Sequence, residues 1–93
     1  MTLENEYACA TECNLATLGE LLCIKSSSQS RCNRQRSICL TMLRVCQEIE
    51  SKLDLSEFGC KFGRVRDLLK AAKKEPQGLE GALDRYIQKL HVN

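Results

Sequence analysis

The sequence predicts an all-α fold, an up-down-up-down four-helix bundle, and three observations carry that reading. Cys32, Cys39, Cys46 and Leu53 repeat every seven residues, with Gln35, Met42 and Ile49 set between them. This is the a/d spacing of a helix buried along a narrow seam. One Pro and five Gly leave few turns in 93 residues. β-Branched residues nowhere alternate with polar ones over the length of a strand.

The first helix is predicted over about residues 3–24. Leu3, Tyr7, Ala10, Leu15, Leu18, Leu21 and Leu22 form one broad apolar stripe. Thr2 is placed to cap it, and the early acids suit the helix dipole. Gly19 is tolerated inside it at a cost of about 1 kcal/mol relative to Ala. Ser26-Ser27-Ser28-Gln29-Ser30 has no apolar anchor and reads as a loop, with Ser30 as the next N-cap.

The second helix, about residues 31–53, is predicted as the longest, with Ile38, Leu43 and Val45 widening its buried stripe. Asp54-Leu55-Ser56 then breaks the pattern, with Ser56 able to cap. The third helix is predicted over 64–74, preceded by Gly59 and Gly63 and stopped by Pro76. The fourth, over 79–90, sets Leu79, Leu83, Tyr86, Ile87 and Leu90 on one face. Glu80, Asp84, Arg85 and Lys89 lie opposite. No repeat or linker divides the chain, so residues 1–93 read as one domain.

Seven cysteines raise the question of a secreted disulfide scaffold. The odd number argues against it, as do Glu4, Glu6, Glu12 and Glu20 where a basic, then apolar, leader would stand. Most of the thiols also fall inside helical periodicity. The expectation is a reducing, cytoplasmic setting with free thiols. Small buried hydrophobes are the commonest role for such cysteines.

A metal site is the competing role. Cys9 and Cys13 lie one helical turn apart and would suit Cu(I), a soft ion. Zinc fits less well without a CxxC pair and with His91 as the sole histidine. Cys9, Cys23 or Cys60 beside Lys25 or Lys61 would make a reactive thiol. No cofactor and no enzymatic activity are expected, because nothing ties His91, Asp84 and a thiol into a nucleophile–base arrangement.

Charge is distributed in blocks. Four acids and no basic residue precede Lys25. From Lys25 to Val45 come Lys25, Arg31, Arg34, Arg36 and Arg44 with no acid. Basic residues at a helix N-terminus oppose the dipole, so the acidic first helix or an anionic partner is expected to offset them. Arg31, Arg34 and Arg36 are therefore the candidate lipid- or partner-binding residues. Few aromatics are present to stack bases, which makes nucleic acid the weaker partner. An anionic phospholipid surface gains about 1 kcal/mol per nearby basic residue.

Thr17-Leu18-Gly19-Glu20-Leu21-Leu22, a polar stretch and Arg31-Cys32-Asn33-Arg34-Gln35-Arg36 together resemble a known arrangement. It is the first-to-second helix passage of the N-terminal four-helix bundles of mixed lineage kinase domain-like pseudokinases, in the HeLo-type group. Leu79-Glu80-Gly81-Ala82-Leu83, then Tyr86-Ile87-Gln88-Lys89-Leu90, is similar to the last helix of that group. The resemblance spans residues 15–53 in register and 79–90 more loosely. It implies a non-enzymatic module of cell-death (necroptosis) or immune signalling that oligomerises and binds anionic membranes. Arg34 and Arg36 would occupy basic positions of the motif, with Arg31 adjacent. A small adaptor or chaperone completing a partner's helical fold is a further alternative.

Overall fold

The computed structural model describes residues 2–24, 26–54 and 62–92. Four α-helices, and no strand among the described residues, form the bundle: α1 (Leu3–Cys23), α2 (Gln29–Glu48), α3 (Gly63–Ala72) and α4 (Gly78–Val92). α1 packs most extensively on α2, and α3 on α4, giving two helical hairpins stacked on each other.

The antiparallel sense of the first hairpin is fixed by pairs along its length. Asn5 Oδ1 accepts from the Asp54 amide, and Thr11 Oγ1 lies 3.3 Å from Cys46 Sγ. Gln35 donates to Asn14 Oδ1 at 2.9 Å. α3 enters beside Glu12 of α1 and leaves beside Glu50, where Lys73 Nζ lies 3.2 Å from the carboxylate.

The core holds Leu15, Leu18, Leu43, Val65, Leu69 and Leu83, together with Cys39 and Cys46. Burying a Leu or Val side chain contributes about 1.5–3 kcal/mol, so these contacts dominate the stability of so small a domain. The seven-residue ladder holds at its centre, where Cys39 and Cys46 are completely buried. It loosens at both ends. Cys32 is only partly buried. α2 stops at Glu48, and a single 3₁₀ turn, Glu50–Lys52, carries Leu53 into the core.

Several predicted burials move by one position. Ile38 is 41% exposed and Leu3 is 77% exposed, while Ala10 faces solvent. Thr11 is fully buried in Ala10's stead. A buried hydroxyl needs a partner. Thr11 donates back to the Tyr7 carbonyl at 2.9 Å, which leaves its methyl face for the core.

Thr2 caps α1 as expected, accepting from the Asn5 amide at 3.1 Å. The cap of α2 is Ser28 rather than Ser30. Ser28 Oγ accepts from the Arg31 amide at 3.1 Å, so the helix begins two residues earlier than predicted. Ser56 lies outside the described residues.

α3 ends at Ala72 and unwinds through tighter bonds, Lys73 to Lys70 and Lys74 to Ala71. Glu75-Pro76-Gln77-Gly78 then closes a turn, with the Gly78 amide bonding to the Glu75 carbonyl at 3.1 Å. Pro at the second position pre-sets the turn. Gly78 follows at φ +64°, a left-handed conformation that other residues rarely adopt.

Candidate contact surface

α2 presents opposite chemistry on its two sides. Its inner side carries Cys39, Leu43 and Cys46. Its outer side carries Arg34, Ile38, Thr41 and Arg44, with Arg31 on the flank, all exposed. These positions follow from 100° per residue, which sets i, i+4 and i+7 on a common side. No acidic residue interrupts Gln29 to Gln47. The surface therefore carries positive charge with no acid, and one large apolar side chain, Ile38, lies at its centre.

The three predicted arginines do not share one environment. Arg31 and Arg34 are in no ion pair among the described residues. Arg36 turns toward α4. Its Nε and Nη2 each lie 2.8 Å from Asp84 Oδ1, and Nη2 lies 3.6 Å from Glu80 Oε1. The guanidinium is thus a clamp between α2 and α4. Such half-exposed pairs contribute about 0–1 kcal/mol each.

The acids of α1 do not offset the basic start of α2 within the described residues. Glu12 instead serves α3, to which Phe62, the residue before it, contributes no side-chain cap. Glu12 Oε1 accepts from the Val65 amide at 3.0 Å. Its Oε2 accepts from the Arg64 amide at 3.3 Å and from Arg64 Nη1 at 2.8 Å. A carboxylate from one helix thereby satisfies the open amides of another and meets the positive end of its dipole. Sequence inspection misses this role, because cap and helix are 52 positions apart and share no motif.

Arg64 is held charged more firmly than usual, first by its hydrogen bond to Glu12. Tyr86 has its phenol pushed upward by burial, partly opposed by Arg64.

The thiols divide by burial. Cys39 and Cys46 are pushed above the ordinary thiol value by desolvation, opposed by their hydrogen bonds with Gln35 and Thr11 respectively. A thiol kept protonated is a poor nucleophile and a poor metal ligand. Cys9 is partly buried against the core, whereas Cys13 and Cys23 are exposed. Among the described residues no three His, Cys, Asp or Glu side chains converge to hold a metal ion. Lys25, Cys60 and Lys61, named above for a reactive thiol, lie outside the described residues, and no side-chain position is described for His91.

Two recesses flank this framework. A cleft of about 310 Å³ opens where the end of α1, the start of α2 and α4 meet. A second groove, about 680 Å³, runs past Gly19, Cys23, Arg64, Tyr86 and Leu90. Among the described residues no helix is long and apolar enough to cross a membrane. Compared with family models, with curated proteins and with solved structures, the chain matches none of them.

Proposed function

We propose that the chain is a non-enzymatic helical interaction module that works through the outer side of α2. The observation carrying this reading is the pair Arg31 and Arg34, exposed and unpaired among the described residues, flanking Ile38 on an acid-free helix side. Fixed positive charge around one apolar anchor suits an anionic surface, with phospholipid as its first candidate. Self-association or a protein partner would use the same side. The HeLo-type resemblance supports this choice and extends the proposal to cell-death or immune signalling. It also extends the proposal to a cytoplasmic protein recruited to membranes.

A catalytic role has less support. The most organised polar cluster, Glu12 with Arg64, is engaged in capping α3, and the best-shielded thiols are held neutral.

Vesicle flotation tests the proposal. The protein should float with phosphatidylserine-containing vesicles and remain behind with phosphatidylcholine alone. Reversing Arg31 and Arg34 to Glu should weaken association at least tenfold, given about 1 kcal/mol per basic residue removed and added repulsion from the acids. Flotation unchanged by that reversal would overturn the lipid reading. Sedimentation equilibrium on the same variants then reads self-association directly.

A further inference from the structure

The first hairpin carries a second outward side, on α1. Leu3, Glu6, Ala10, Cys13, Thr17 and Glu20 alternate by three and four positions, and every one is exposed. The exposed C-cap Ile24 continues the stripe. That spacing is the one by which a helix meets another helix along a seam. α2 repeats it outward with Arg31, Arg34, Ile38 and Thr41, all exposed. Leu3, Ile24 and Ile38 are the exposed large apolar side chains among the described residues, and all three stand on these two stripes.

The stripes carry opposite charge. No basic residue precedes Lys25. Glu12 is engaged at α3, whereas Glu6 and Glu20 are in no ion pair among the described residues. Arg31, Arg34 and Arg44 are likewise in none. At about 1.5 Å per residue, about 21 Å of helix separates Glu6 from Glu20, and about 20 Å separates Arg31 from Arg44. Cys13 lies midway between the glutamates, and Ile38 near the middle of the arginines. Within one molecule the two stripes face away from the shared core of Leu15, Leu18, Cys39 and Leu43, so they do not meet each other.

We propose that the outer side of α1 receives the outer side of α2 from a second copy of this chain. Ile38 then rests among Ala10, Cys13 and Thr17, while Glu6 and Glu20 face the arginines. The inference rests on the reading of α2 as a contact surface, names a partner for it and adds α1 as a surface in its own right. Two unlike surfaces make the contact heterologous. Pairing covers the basic side of α2, so copies part before that side meets a membrane.

Sedimentation equilibrium under reducing conditions, which keep Cys13 from crosslinking, tests the contact by charge exchange. The unchanged chain should associate at about 0.1 M salt and weaken several-fold at about 1 M, where the Debye length falls to about 3 Å. Glu6→Lys with Glu20→Lys should be monomeric, and so should Arg31→Glu with Arg34→Glu, each with the helical circular dichroism of the unchanged chain. Mixed in equal amounts, the two variants should associate again, because each supplies the charge that the other lacks. Glu6→Gln with Glu20→Gln, which keeps the side-chain shape, should weaken association about fivefold. An unchanged chain that stays monomeric up to millimolar concentration, association surviving the α1 reversal, or no recovery on mixing would overturn the proposal. The α1 reversal should still float with phosphatidylserine vesicles, since α2 is untouched, so the lipid reading stands or fails in a separate assay.

Discussion

The starts of α2 and α3 solve the same problem by different means. Each helix exposes amides that its own turns cannot satisfy. α2 takes its cap from Ser28, three residues before the amide it serves. α3 receives Glu12 from α1, in the other hairpin. A local cap can form in a helix on its own, whereas a remote cap exists only once the two hairpins have docked. The first organises an element, and the second welds the fold.

The largest expected effect tests that weld. Glu12→Ala removes three bonds at a carboxylate only 14% exposed. It should cost about 2–3 kcal/mol in urea unfolding with an unchanged denaturant slope. A cost under about 0.5 kcal/mol would mean that α3 needs no remote cap. Ser28→Ala should cost about 1 kcal/mol, and Ser30→Ala almost nothing. Equal costs would return the cap to Ser30.

A smaller effect concerns Gly19. A methyl group added there would meet Leu90 Cδ1 at 3.8 Å, an ordinary contact. Gly19→Ala should therefore stabilise the protein by about 0.5–1 kcal/mol, read as a raised Tm. Gly78→Ala, at φ +64°, should do the reverse by about 1–2 kcal/mol.

The pH dependence tests the buried thiols. Cys39 and Cys46 lose their protons at higher pH in the folded chain than in the unfolded one. Above the unfolded thiol value, about 8.5, the native state binds more protons, so stability falls as pH rises. Cys39→Ala with Cys46→Ala should flatten that decline between about pH 8.5 and 10. Tyr7 in the first hairpin and Tyr86 in the second, both also raised by burial, should remain as later components.

The helices were legible because apolar spacing is a local signal, and so was the thiol seam at Cys39 and Cys46. The misplaced burials, Leu3, Ala10 and Ile38, lie off the seven-residue ladder, where a broad apolar stripe fixes helical phase less tightly. The ladder itself was extended too far as one helix: α2 ends before Leu53, which reaches the core through a different turn. Thr11 was overlooked because its hydroxyl is satisfied within its own helix and then buries like Val.

Of the candidate arginines, Arg31 and Arg34 lie where helical phase puts them, on the open side. Arg36 also follows its phase, which turns it toward Asp84. The remote cap left no trace in the sequence, because it depends on which helices become neighbours, and periodicity does not encode that choice.

Cys13 and Cys23 stand on the outside of α1, while the two central sulfurs of α2 are sealed within the leucines. Air oxidation will therefore join molecules through α1 long before it disturbs the interior. Bands seen on non-reducing gels would then report storage history rather than assembly. Replacing those two outer thiols with serine removes that artefact at the exposed positions of α1.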